Sequence, residues 1–345
     1  MKTVFILLFS LSLSYSTQAQ DCDCQSDFNF MADTYLADYS GMRDFAARNP
    51  GYRSYIDSLR KQASSKMDIR ACDSLLKKLI HYLDNGHVFL VPSEINPVEA
   101  TPTESAQKDP TPTLSFKPNS TALFTVPTCN MAYKPILDSL VLSNKEKLEK
   151  TRHFIIDVRG NGGGGDAMFT SLLPYLYTNP ILVYNSDFWS SPNNIRFFEE
   201  LLTNEYIPED AKNQIRDIVT RGKQAPNQFV PFATNRIDTI RMDQIKDYPK
   251  KVSILMDKEC ISATEQFLLN ARQSKKTRIY GYSNSGGAID YGNLNFVFTP
   301  SKLWYFSVPT TRSARLPDYP VDPTGIAPHV KLKPEIKDPI QWLIK

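Results

Sequence analysis

The sequence predicts an α/β layer fold preceded by a small helical unit, and three features of the chain carry that expectation. From Thr113 onward, short β-rich runs alternate with helical segments, the order that builds sheets covered by helices. Between Phe28 and Leu83 the apolar residues instead recur at helical spacing. A Pro/Thr/Glu-rich stretch, 92–112, separates the two regimes and has the composition of an exposed linker.

Residues 1–20 read as a secretory signal. Lys2 supplies the positive start, the run from Val4 to Leu13 is apolar apart from Ser10 and Ser12, and Thr17-Gln18-Ala19 offers small residues for cleavage. That run is too short to span a bilayer comfortably, no basic stop-transfer cluster follows, and Asp21 before Cys22 makes no lipobox. The expectation is an exported chain, periplasmic or extracellular, with no membrane partner after cleavage. The helical unit covers 21–91. Its clearest face holds Cys72, Leu75, Leu76, Leu79, Ile80 and Leu83, and it ends near Asn85-Gly86, after which His87 opens a strand.

The core spans 113–345. Thr121 to Val126 and His153 to Val158 read as strands, separated by a helical segment with Ile136, Leu137, Leu140 and Leu148. Pro180 to Tyr184, Lys251 to Met256 with a helix to Arg272, and Arg278 to Tyr282 repeat the order. A mostly helical insertion at about 190–247, with Phe197, Phe198, Leu201 and Leu202 at near-helical spacing, reads as a lid or as a packed surface subdomain.

A chain of 345 residues with net charge +3, its Lys and Arg spread rather than clustered, has no electrostatic footprint for nucleic acid or an anionic membrane. Its five cysteines are an odd number, so at least one thiol stays free. A bridge from Cys22 or Cys24 to Cys72 would tether an otherwise frayed end. Cys-x-Cys lacks the spacer and second ligand pair of a structural zinc site, and Cys260 reads as a small packing residue. No metal or organic cofactor is called for.

Three segments carry chemistry. In HFIIDVRGNGGGGDAM, 153–168, an apolar strand runs into a glycine-rich turn whose backbone N–H groups are open to an anion or oxyanion, and then into a helix. Gly160, Gly162 and Gly165 also satisfy G-x-G-x-x-G, with Asp187 ending a later strand, which is a dinucleotide fingerprint on paper. The turn's position deep in the chain and the expected export argue against that alternative. In KVSILMDKECISATEQFLLNAR, 251–272, Ser262-Ala-Thr-Glu265 fits a capping box, and the same geometry puts a serine where the Ala263 amide would face a developing oxyanion. In LDNGHVFLV, 83–91, His87 sits at a glycine-marked junction. Of the four histidines, His81 and His153 read as structural and His329 falls in a Pro-rich turn.

Taken together these segments resemble the tail-specific (C-terminal-processing) protease and tricorn family of serine peptidases. D-x-G-H, then I-I-D-x-R-x-N-x-G-G, then S-A-x-E, then a late G-I-x-P turn stand here as Asp84–His87, Ile155–Gly164, Ser262–Glu265 and Gly325–Pro328. The resemblance implies a ClpP/crotonase-like α/β core and an oxyanion hole from Gly163 or Gly164 with Ala263. It also implies Ser262 as nucleophile. The lysine of tail-specific Ser-Lys members would fall at Gly287 and is absent, whereas the tricorn-like histidine matches His87. Gly86 replaces the serine that precedes that histidine in tricorn-like members, and Asp322 stands where they carry a glutamate. The peptide-binding PDZ module has no room, since roughly 65 residues separate His87 from His153.

The expected function is an exported serine peptidase acting on peptide or protein substrates, with Ser262 forming the acyl-enzyme, His87 as general base and Asp322 rather than Asp84 orienting it. The rival is an inactive exported peptide-binding protein of the same fold.

Overall fold

The structure is a computed structural model and describes residues 21–95, 111–205, 207 and 209–345. The expected signal, 1–20, and most of the Pro/Thr linker lie outside the described residues. The chain begins with β1 (Asp21–Cys22), α1 (Cys24–Asp38), α2 (Met42–Arg48), α3 (Tyr52–Arg60), β2 (Met67–Asp68), α4 (Ile69–Leu83) and β3 (Leu90–Pro92). Asp23 caps α1 by accepting the Ser26 N–H, and Asp68 caps α4 by accepting the Arg70 and Ala71 N–H groups. A disulfide, Cys24–Cys72, ties α1 to α4, while Cys22, Cys129 and Cys260 are free and buried.

Helix α4 stops earlier than its pattern suggests. Leu83 is its last residue, and Asp84, not glycine, takes the left-handed conformation at φ 44°. His87 consequently lies in a turn ahead of β3 rather than at the start of a strand.

After the linker come β4 (Thr113–Lys117), β5 (Thr121–Thr125), α5 (Lys134–Ser143), α6 (Lys145–Leu148), β6 (His153–Asp157) and α7 (Leu173–Leu176). Then follow β7 (Ile181–Tyr184), β8 (Ser186–Trp189), α8 (Pro192–Leu201), α9 (Glu209–Gln224), β9 (Phe229–Pro231), β10 (Ile237–Ile240), β11 (Lys251–Met256) and α10 (Ala263–Ala271). The chain closes with β12 (Thr277–Gly281), β13 (Tyr291–Phe298), β14 (Trp304–Ser313), β15 (Val330–Lys331) and α11 (Pro339–Ile344).

A six-stranded sheet runs β15-β12-β11-β6-β5-β4, parallel except for the β4 edge. Its central strands β5, β6 and β11 read as largely apolar runs because both faces are covered. Phe124, Phe154, Ile156, Ile254 and Ile279 pack on one side with Leu137, Phe267 and Leu268, and the alternate residues Leu123, Ile155, Leu255 and Tyr280 meet Leu343 and Ile344 of α11 on the other. The carboxyl ends of β6 and β11 therefore lie side by side, and the glycine turn and the Ser262 turn leave the sheet together.

A second, antiparallel sheet runs β13-β14-β8-β9, with β3 also paired to β14. The helical unit has no core of its own, because its buried residues close around Trp304, Phe306 and Val308 of β14. Trp304 Nε1 donates to Asp73 Oδ1 at 3.1 Å and Tyr35 O–H to the Ser307 carbonyl at 3.0 Å. The insertion is a packed subdomain: α8 and α9 bury Ile195, Phe198, Ile218 and Val219 against Phe188 and Val230 of β8 and β9. The expected strand 180–184 joins neither large sheet. It pairs with β10 instead.

Candidate active site

Four segments far apart in sequence meet around 285–288. Glu265, in the first turn of α10 and fully buried, accepts from Ser285 O–H at 2.5 Å, from the Gly287 and Ala288 N–H at 2.9 Å each, and from the Ser262 N–H at 3.2 Å. Thus the capping-box glutamate also fixes a distant loop. Ser285 accepts the Ile326 N–H at 2.6 Å, which brings in the late turn. The Ala288 carbonyl accepts the Ser262 N–H at 3.1 Å, and a Cβ on Gly86 would lie 2.6 Å from Ala288 Cβ. Gly86 lets the His87 turn close on the loop that holds Ser262.

Ser262 has φ 57° and ψ −122°, a sparsely populated backbone conformation for a residue with a side chain. The glycine turn abuts it, since a Cβ on Gly163 would come within 2.8 Å of Ser262 Cβ. Asn161 organises the turn by donating to the Val126 carbonyl at 2.9 Å and accepting the Gly163 N–H at 3.0 Å. That bond removes Gly163 as an oxyanion donor. The N–H groups of Gly164 and Ala263 have no acceptor among the described residues, so of the expected pair Gly164 is the free one. Asp157 and Arg159 form a two-point ion pair, at 2.8 and 2.6 Å, at the end of β6.

His87 is buried, and its Nδ1 meets the Tyr291 carbonyl oxygen at 2.5 Å. A carbonyl only accepts, so Nδ1 carries the hydrogen and Nε2 is the bare nitrogen. Burial lowers the imidazole pKa, the Tyr291 bond opposing it. Ser307 holds the strand beneath, donating to the His87 carbonyl at 2.6 Å and accepting the Phe89 N–H at 3.0 Å.

His87, Ser262, Gly164 and Ala263 line one cleft of about 630 Å³, together with Phe89, Asp166, Gln266, Leu294, Phe296 and Arg315. No hydrogen bond joins Ser262 to His87 among the described residues.

Asp322 does not reach the imidazole. Its Oδ2 accepts from Asn85 Nδ2 at 3.0 Å and its Oδ1 from the Ile289 and Asp290 N–H at 2.8 and 3.1 Å. Asn85 Oδ1 in turn accepts the His87 N–H at 2.9 Å, so Asp322 steadies the backbone that carries His87 rather than its ring. It lines a separate hollow, of about 810 Å³, and not the cleft. Burial and the neighbouring Asp290 push its pKa up to about 7. Asp84 is exposed and also does not hold the ring.

The group that holds the His87 ring is a backbone carbonyl contributed by β13, a strand not among those expected from the sequence. The alternation from Tyr291 to Phe298, repeated across a turn by Trp304 to Ser313, was the available signal. Of the other histidines, His153 is buried against Ser253 Oγ at 2.9 Å, with a pKa near 4 caused by burial, and His329 Nδ1 accepts the Ile279 N–H at 3.0 Å. His81 is exposed.

The dinucleotide alternative loses its geometry. A single 3-10 turn, Asp166–Phe169, follows the glycines where the fingerprint needs a helix, and Asp187 lies in the antiparallel sheet with Arg312 at 3.5 Å.

The sequence model of peptidase family S41 matches residues 122–332, more than half of the chain. The chain belongs to peptidase family S41. As an S41 member it is a serine-type peptidase, a hydrolase of peptides or proteins, and the mixed α/β core is the ClpP/crotonase-like fold. Mature CPAF resembles it in structure, with a TM-score of 0.62 at 11% identity, covering 89% of this chain and 92% of that one. A putative peptidase from Parabacteroides merdae gives 0.55 at 14% identity, covering 91% of each chain. No curated protein matches in sequence.

Proposed function

We propose that this S41 peptidase cuts peptide bonds through an acyl-enzyme on Ser262. His87 Nε2 takes the hydroxyl proton, Ser262 Oγ attacks the carbonyl carbon, and the oxyanion forms against the Gly164 and Ala263 N–H. His87 then returns the proton to the leaving amine, and water, deprotonated by the same nitrogen, releases the acid. Tyr291 supplies what a carboxylate supplies elsewhere, fixing the tautomer, with less stabilisation of the imidazolium because a carbonyl bears only partial charge.

The observation that carries this reading is the convergence on one cleft of Ser262, His87 and two backbone N–H groups without an acceptor among the described residues. The Cys24–Cys72 disulfide supports placing the protein in an oxidising, exported setting. A fluorophosphonate probe tests the chemistry. Labelling of Ser262 that disappears in Ser262→Ala and weakens in His87→Ala is expected. An unlabelled Ser262 in protein that still binds peptides would replace this reading with a peptide-binding one.

A further inference from the structure

The acidic and basic side chains that line the cleft are His87, Asp166, Asp290 and Arg315. Burial favours neutral His87. Asp290 and Arg315 cancel one another at 2.9 Å, the pair being 1% and 5% exposed, and the second Asp290 oxygen accepts the Val321 and Asp322 N–H at 2.6 and 2.9 Å. Asp166 is thereby left as the cleft's uncompensated charge.

Among the described residues no hydrogen bond or ion pair engages that carboxylate. The residue is exposed at the cleft, though partial burial of its carboxyl raises the pKa. The helical turn that it begins, Asp166–Phe169, is a single 3-10 turn with little dipole to hold an anion. Its place in the chain is nonetheless pointed. Consecutive Cα atoms lie about 3.8 Å apart, so Asp166 is within about 8 Å of Gly164, the oxyanion donor. A side chain belonging to a residue beside the scissile bond spans that distance. Phe89, Leu294 and Phe296 in the same lining offer a charge nothing.

We propose that Asp166 is a specificity-determining residue, selecting peptides that carry a cation next to the bond being cut. A lysine or arginine side chain and a free α-ammonium share that chemistry. The inference rests on the peptidase reading of Ser262. An uncompensated carboxylate among neutral lining groups attracts a cation on the substrate beside it, and it repels a carboxylate at the same place.

The test uses the full chain and peptides that differ only beside the scissile bond, carrying Lys, Leu or Glu, each with a free and an acetylated N-terminus. Expected is a kcat/KM ratio of Lys to Glu of roughly tenfold or more. The ratio should fall to near unity in Asp166→Asn and invert in Asp166→Lys. A preference in the Leu peptide for the free N-terminus identifies the α-ammonium as the group read. An identical Lys:Glu ratio in the parent and in Asp166→Asn overturns the proposal. If no peptide is cut, the Ser262 reading fails separately, and fluorescence anisotropy of the same peptides on Ser262→Ala still decides. Tighter binding of the Lys peptide, lost when Asp166→Asn is added, supports Asp166, and equal affinities for Lys and Glu refute it.

Discussion

Two glycines of the same turn separate backbone strain from a steric collision. Gly160 and Gly163 hold φ values of +79° and +89°, where a Cβ costs about 1–2 kcal/mol. A Cβ on Gly160 meets nothing within 4 Å, so Gly160→Ala should cost little beyond that strain. On Gly163 it would lie 2.8 Å from Ser262 Cβ and 2.9 Å from the Ile261 carbonyl oxygen, well inside the carbon contact distance of about 3.5–4.0 Å. Neither neighbour is the tip of a flexible side chain, so the turn or Ser262 must move, and such overpacking adds about 1–3 kcal/mol. Gly163→Ala should therefore lose about 2–5 kcal/mol against about 1–2 kcal/mol for Gly160→Ala. The same displacement shifts Gly164 relative to Ser262, and loss of one oxyanion donor costs about 10²–10³ in kcat. Guanidinium denaturation followed by tryptophan fluorescence measures the first quantity, and kcat on a peptide substrate the second. Equal losses of stability and of kcat in the two variants would refute the reasoning.

Further outcomes test the rest of the site. Ser262→Gly and Ser262→Ala should both abolish hydrolysis, but Gly should be the more stable by about 1 kcal/mol because it relieves φ 57°; a less stable Gly variant contradicts the strain. Protonated His87 accepts no proton, so activity should fall in acid with a midpoint below 6.5, the imidazole's ordinary value, because burial depresses it. A midpoint above 6.5 would show that burial does not govern this group. Asp322→Asn should lower kcat by about tenfold rather than by the 10⁴ of a lost triad carboxylate, since it acts through Asn85. With its pKa raised from 3.8 to about 7, Asp322 contributes stability that is fully present below 3.8 and lost as pH rises through about 7. Stability of Asp322→Asn relative to the parent should accordingly rise over that window, and a constant difference argues against it. Reduction of Cys24–Cys72, 48 residues apart, should cost about 4 kcal/mol by loop entropy, and alkylation of Cys72 in the unreduced protein would show the bridge absent.

How much of this was legible differs from residue to residue. The strands at 121–125, 153–157 and 251–256 stood out because a doubly covered parallel strand is apolar throughout. Strand β13 did not, because it is an edge strand that leaves Phe296 and Phe298 more than half exposed and carries Asn293 at φ 53°. Asp322 fits the sequence pattern of an orienting carboxylate, yet it reaches only Asn85 and the backbone. The structure assigns the contact to the Tyr291 carbonyl, a group every residue possesses and no composition signals.

By itself the sequence determined the family, the layered α/β core and the nucleophile and base candidates, and narrowed the partner of Cys72 to Cys22 or Cys24, because each depends on local pattern or on distinctive residue types in a fixed order. The tertiary structure alone decided which N–H groups are free at the oxyanion position, what holds His87, and that the helical unit shares its core with β14. These are questions of which backbone groups already have partners and which buried faces meet, and they are settled only when residues some 200 positions apart, such as His87 and Tyr291, come into contact.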